Sequence, residues 1–209
     1  MATVILVATV AVAYLIGSIP FGLLIGKLNG KDVRKEGSCN IGATNVTRVV
    51  GKWWGKLCFL CDFLKGFLPV FYVVKQYPGD GLMITLTALA VVLGHVFPVY
   101  LGFKGGKGVS TAAGVALALC PLAVVIAGAV WVLVFLTSRY VSLASLSAAV
   151  ALPLSAWLLH FFTNIKLLLP VGILLIVLAV LTFWRHRSNI VRLMNGTESR
   201  FERKKGEEK

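Results

Sequence analysis

Two short polar stretches interrupt a chain that is 58% hydrophobic. The first, Gly37 to Arg48, reads GSCNIGATNVTR, and the second, residues 102–108, reads GFKGGKG. Neither suits lipid. A polar, glycine-rich loop between long apolar runs is tolerated at membrane depth only where it lines a cavity or is covered by protein. Gly37, Gly42, Gly105 and Gly106 would let backbone N–H groups come close to a ligand, and the hydroxyls and amides around them add donors. Such a nest holds an anion, and phosphate is the usual guest. Arg48 offers a forked guanidinium, whereas Lys104 and Lys107 act as point charges. Two further polar pairs carry helical spacing: Ser142 with Ser145, and His186 with Asn189. Neither loop fits G-x-x-x-x-G-K-[ST], so nucleotide binding is not indicated. The sequence also lacks G-x-S-x-G, H-E-x-x-H and His-x-x-x-x-Asp. Many phosphate donors without an obvious general base call for a substrate that arrives activated.

These residues must be positioned by membrane helices. Apolar runs predict an all-α, polytopic protein with seven transmembrane helices. The expected spans are Thr3–Gly26, Trp53–Val74, Leu82–Leu101, a hairpin of spans four and five over 109–138, Val141–Phe162 and Leu167–Trp184. The 109–138 stretch is short for two crossings, yet Pro121 divides it, and two crossings keep the basic C-terminal part inside. With the N-terminus outside and the C-terminus cytoplasmic, eighteen basic residues lie inside and only Lys75 and Lys166 outside. That asymmetry is the positive-inside pattern, so the net charge of +13 reflects topology and anionic partners rather than nucleic acid. No positive charge precedes the first apolar run, so an uncleaved span is expected there rather than a signal peptide.

Residues 1–199 read as one membrane domain and 200–209 as a charged, frayed cytoplasmic tail. Gly22 and Gly26 are spaced for close helix packing, and RHRSNIVRLMNG from Arg185 reads as the last helix continuing to a cap near Asn195–Gly196. Asp62 and Lys65, three apart in the second span, are expected to pair, and His95 to support the 102–108 loop. Cys58 and Cys61 have C-x-x-C spacing but lie within a span, where they are expected to be packing residues.

This topology gathers the four polar elements on the cytoplasmic side. A one-sided site suits chemistry on a cytosolic substrate. The alternative is a transporter or flippase of a phosphorylated metabolite or lipid, which would favour inverted repeats with broken helices in both halves. The two glycine-rich loops differ in length and pattern and show no such repeat. A purely structural scaffold would not need charges within its spans.

Three stretches, GSIPFG…K (17–27), GSCNIGATNVTR (37–48) and GHVFPVYLGFKGGKGVST (94–111), resemble the signature motifs of the bacterial acyl-phosphate:glycerol-3-phosphate acyltransferases. DFLKG (62–66), RYVSLAS (139–145) and RHRSNIVRLMNGTE (185–198) extend the resemblance along essentially the whole chain. Cys39 stands where that family usually has glycine, and Ser110 where alanine is common. The resemblance implies a bacterial inner-membrane enzyme with a cytoplasmic active site. It would transfer a fatty acyl group from acyl phosphate to the 1-hydroxyl of sn-glycerol 3-phosphate, the committed step of phospholipid synthesis, without metal, coenzyme A or another cofactor. Its partners would be these two substrates and membrane lipid, with no nucleic acid; it would be a monomer coupled to the enzyme that makes acyl phosphate.

The implied catalytic set is Ser38, Arg48, Lys107, Ser145, His186 and Asn189. The implied substrate-binding set is Gly37, Asn40, Gly42, Thr44, Asn45, Lys104, Gly105, Gly106 and Ser142. Within these, the 37–48 loop would cradle the acyl-phosphate phosphate through its backbone, Ser38, Asn40, Thr44 and Asn45. Arg48, Lys107, Ser145, His186 and Asn189 would hold glycerol 3-phosphate, and Lys104 would serve either anion. Two proton acceptors remain open, the acyl-phosphate oxygen and His186.

Overall fold

A computed structural model of the chain describes residues 2–201. Among them, every regular element is helical. The order is α1 (Ala2–Ser18), α2 (Phe21–Leu28), α3 (Ala43–Val49), α4 (Lys52–Gln76), α5 (Gly81–Val96), α6 (Val109–Leu119), α7 (Pro121–Ser138), α8 (Val141–Phe162), α9 (Leu169–Arg185) and α10 (Arg187–Met194). Five segments are long and apolar enough to cross a membrane: Thr3–Leu28, Lys52–Gln76, Gly81–Leu101, Pro121–Ser138 and Val141–Phe162. Joined as one broken span, α9 and α10 make a sixth, and α6 is a shorter apolar helix.

Helix α5 is the axis of the bundle. In its most apolar stretch 61% of residues are buried, against 11% in α7, which leaves α7 on the lipid side. Val91, Val92 and Val96 of α5 pack with Ala13 of α1, Val70 of α4, Val115 of α6 and Leu174 of α9. Glycines bring the backbones together. A Cβ at Gly17 would stand 2.1 Å from the Val91 carbonyl oxygen, and one at Gly94 2.3 Å from that of Tyr14. Gly66 and Gly114 do the same for α4 and α6, against the carbonyls of Thr111 and Phe63. Lipid offers no hydrophobic drive between helices, so such close packing supplies much of the association.

Several ends follow local rules. Asp80 caps α5 by accepting from the Met83 N–H at 2.9 Å. Pro121 opens α7 at a position where no N–H is required, and Cys120 alone separates it from α6, so the predicted hinge is present. Gly22 and Gly26, expected to meet a helix, instead let the 31–41 segment lie on α2, through the carbonyls of Ile41 and Lys31.

The reading of one continuous last helix is corrected. The chain bends by 58° between α9 and α10, with His186 at the break. The His186 N–H is shared between the Thr182 and Phe183 carbonyls, a tightened turn that ends α9. The cap itself holds, since Asn195 follows α10 and Gly196 takes φ +71°. The start of the expected tail is not free: the Phe201 N–H donates to the Arg139 carbonyl at 3.0 Å, and the Arg200 guanidinium lies 4.7 Å from the Tyr140 ring centroid. The rest of that tail, 202–209, lies outside the described residues.

Candidate active site

The loop at 37–48 is folded around Asn45, which is 1% exposed. Its amide nitrogen donates to the carbonyls of Val33 (2.8 Å), Glu36 (3.1 Å) and Asn40 (2.8 Å), and its Oδ1 accepts from the Ser38 N–H at 2.7 Å. Gly37 must be glycine: its φ is +62°, and a Cβ there would lie 2.3 Å from Asn45 Oδ1. Cys39 takes φ +55° without that freedom. Asn40 Oδ1 accepts from the N–H of Gly42, the residue before α3, at 2.8 Å. Asn45 therefore shapes the loop, and Ser38, Thr44 and Arg48 are presented by it.

These residues face a cavity of about 500 Å³. Twelve of the fifteen residues singled out from the sequence line it: Gly37, Ser38, Asn40, Gly42, Thr44, Asn45, Arg48, Lys107, Ser142, Ser145, His186 and Asn189. Lys104, Gly105 and Gly106 do not. The Gly105 and Gly106 N–H groups donate to the Val96 and His95 carbonyls at 3.2 and 3.1 Å, turned away from the cavity. Both glycines instead let the loop lie on α5, where a Cβ at Gly106 would stand 2.2 Å from His95 Nε2. Arg185 donates to the Gly105 carbonyl at 3.0 Å. Lys104 is exposed, and the loop contributes Lys107 and Gly108 to the cavity.

Lys107 Nζ donates to Asn189 Oδ1 at 2.5 Å. Burial pushes its pKa down to about 8, and Arg192, Arg185 and Arg48 add repulsion against the attraction of Glu198. His186, just beyond the end of α9, is 3% exposed. Its Nδ1 lies 2.8 Å from the Thr182 carbonyl oxygen. A carbonyl only accepts, so Nδ1 carries the proton and Nε2 of the neutral ring is an acceptor. Burial, then the Lys107 charge, pushes the His186 pKa down to about 4, so the ring is neutral at physiological pH.

Glu198, Arg192 and Ser199 also wall the cavity, and the sequence reading did not assign them. Glu198 Oε1 accepts from Ser142 Oγ (2.7 Å) and Asn189 Nδ2 (2.6 Å), and its Oε2 from Arg192 Nε (2.7 Å). Burial raises its pKa, but these three hydrogen bonds outweigh it and hold the carboxyl below its ordinary value. The only prior signal was its place at the end of the 185–198 stretch. Arg48, from the opposite wall, lies 5.2 Å from the Phe201 ring centroid and reaches the Ser199 carbonyl at 3.4 Å.

Behind the cavity lies a buried cluster. Lys65 Nζ is 2.8 Å from Asp62 Oδ1 and donates to the Ile19 carbonyl at 2.7 Å, so the predicted pair also ties α4 to the break between α1 and α2. His95 Nδ1 is 3.6 Å from the same Asp62 oxygen. The ring thus joins this cluster while its backbone carbonyl holds the second loop, the supporting part expected for it.

A second, apolar space of about 640 Å³ opens between α4–α6 and α7–α8, over α9. Phe59, Thr44, Val109, Trp131, Val141 and Ser145 line both spaces. Ser145 Oγ accepts from Trp131 Nε1 at 3.3 Å and donates to the Val141 carbonyl at 2.8 Å, so it stands at the boundary with limited capacity left for a ligand.

Fold and site define an integral membrane enzyme that places cations, a neutral imidazole acceptor and a glycine-rich loop beside an apolar groove. A family profile described as glycerol-3-phosphate acyltransferase matches residues 7–196. A glycerol-3-phosphate acyltransferase of Aquifex aeolicus is 50% identical over 191 residues, 90% of this chain and 95% of that one. That of Desulfotalea psychrophila is 47% identical over 196 residues, covering 92% and 96%. Crystal structures of PlsY, an integral membrane glycerol 3-phosphate acyltransferase, share 47% identity. The glycerol 3-phosphate form superposes with a TM-score of 0.88 over 94% of this chain and 96% of that one, and the lysophosphatidic acid form with 0.85 over 94% and 95%. The chain belongs to the glycerol-3-phosphate acyltransferase family.

Proposed function

We propose that this acyltransferase takes its acyl group from acyl phosphate and delivers it to the 1-hydroxyl of sn-glycerol 3-phosphate. The observation that carries the reading is the shared wall between a cationic cavity and an apolar groove. One reactant must be an anion on the polar side, and the other must continue into hydrocarbon. Arg48, Lys107, His186 and Asn189 hold glycerol 3-phosphate, and Ser38 and the 37–48 backbone hold the phosphate of the donor. Asn45 positions that loop, and Glu198 positions Asn189, Ser142 and Arg192. The acyl chain lies in the groove.

In the reaction the 1-hydroxyl oxygen attacks the acyl carbonyl carbon, the bond from that carbon to the phosphate oxygen breaks, and inorganic phosphate leaves. The proton passes to the departing phosphate. His186 Nε2 accepts the hydroxyl hydrogen bond and aims it, the role its Nδ1–H contact to the Thr182 carbonyl leaves open. Fixed cations screen two anions that would otherwise repel, which is where orientation and electrostatics lower the barrier.

The same reading makes residues 1–199 one membrane domain with seven crossings, N-terminus outside and C-terminus cytoplasmic, in a bacterial inner membrane. The eighteen-to-two division of basic residues supports it, although α6, at 11 residues, is short for a full crossing. In this reading the enzyme works as a monomer. Acyl phosphate would be handed over by the enzyme that makes it.

The test is phosphate release by purified protein in lipid, with palmitoyl phosphate and no coenzyme A. Release that requires glycerol 3-phosphate and yields lysophosphatidic acid is expected. A well-folded sample that forms no product with this donor would overturn the donor assignment.

A further inference from the structure

The groove has a layered wall and a floor. Helices α7 and α8 run antiparallel, and two hydrogen bonds mark their register: Trp131 Nε1 to Ser145 Oγ at the cavity end, and Ser155 Oγ to the Ala123 carbonyl at 3.4 Å further in. Between these marks the residues that α7 and α8 give to the groove are small, Ala127 and Gly128 on α7 and Ala148 and Ala149 on α8, while α4 and α9 add Phe63 and Leu178 beside Ala179. At the inner mark they become large: Val124, Leu152 and Leu175. These three also belong to a packed cluster with Ala116, Ala123 and Ala156, so the groove ends there against solid protein. Trp131 to Val124 is seven residues, roughly 10 Å at the helical rise, and beyond Trp131 the groove continues outward past Phe135 and Phe201.

Gly128 is the unusual member of the small layer. It is a glycine inside a helix, which weakens that helix relative to alanine. No close helix contact accounts for it, since a Cβ built there meets nothing within 4 Å. The space it leaves belongs to the groove.

We propose that Gly128 and the floor of Val124, Leu152 and Leu175 set the acyl-chain length that this enzyme accepts. The proposal rests on the acyl-transfer reading above. Gly128 keeps the middle of the groove wide, and the floor stops the chain. The occupant is the chain of the donor, because the groove shares Trp131, Ser145 and Phe59 with the polar cavity where the acyl carbon must react. A side chain at Gly128 shortens the usable depth without touching any group that holds phosphate.

The experiment compares wild-type protein, Gly128→Leu and Leu152→Ala in the same lipid, with acyl phosphates from decanoyl to stearoyl. Gly128→Leu is expected to lower kcat/KM for the longest donors relative to the shortest by roughly tenfold, the effect of withdrawing about two methylenes from an apolar wall. KM for glycerol 3-phosphate should stay unchanged. Leu152→Ala should move the profile the other way. If both variants turn over with the wild-type profile, the chain lies elsewhere and the proposal is wrong. Failure of wild type with every donor would instead bring down the acyl-phosphate reading on which the proposal stands.

Discussion

Lys107 and His186 both line the cavity, and they titrate in different pH windows. Lys107 is charged below about pH 8 and loses that charge above it. KM for glycerol 3-phosphate should therefore rise as pH passes through about 8, in steady-state kinetics at saturating donor. A flat KM across that window would mean that Lys107 does not face the anion. His186 is already neutral and gains its second proton only near pH 4. The rate should show no imidazole-like loss until pH approaches that value, and His186→Ala should keep measurable turnover with weakened orientation. Complete loss with substrate still bound would make His186 the base after all. Cys39 makes a separate point: its left-handed φ of +55° costs an ordinary residue about 1–2 kcal/mol. Cys39→Gly should raise the unfolding temperature. At this scale the sequence singled out Arg48, Lys107, His186 and Asn189 by their types and their place beside polar stretches, and all four line the cavity. It could not reveal that Gly105 and Gly106 turn their N–H groups toward α5, because spacing does not say which way a backbone faces.

Among the helices, the glycines fall into two kinds that composition does not distinguish. Gly66 and Gly114 touch the backbone of the facing helix, and a carbonyl cannot move aside. Gly114→Leu should destabilise the bundle by about 1–3 kcal/mol or more, read as a lowered unfolding temperature in a fixed detergent. Gly128→Ala meets open space and should stabilise by about 0.5–1 kcal/mol through helix propensity alone. Equal responses would mean that the close crossing of α4 and α6 carries no special weight. Long apolar runs made the spans legible, and Pro121 made the α6–α7 hinge legible. The 58° bend at His186 was not, since neither proline nor glycine marks it, and the ring at the break is buried.

Across the whole molecule, the segment after α10 closes the site. Residues 198–201 link α8, α10, the Arg139 turn and Arg48, which stand far apart in sequence. Charge composition made residues 200 and 201 look like the beginning of a free tail, yet they pack on the Tyr140 ring and the Arg139 carbonyl. Glu198→Ala would leave Ser142, Asn189 and Arg192 each short of an acceptor, at a cost of about 1–3 kcal/mol. Both stability and activity should fall, with Glu198→Gln falling less.

The shared wall of cavity and groove has one more consequence. One reactant arrives from a three-dimensional solution and the other from a two-dimensional one. Adding inert phospholipid should slow the enzyme at constant bulk donor, because the leaflet mole fraction governs encounter. The same dilution should leave the saturation curve for the water-soluble reactant untouched. Lysophosphatidic acid, formed with its tail already among lipids, can then depart sideways without its tail ever entering water.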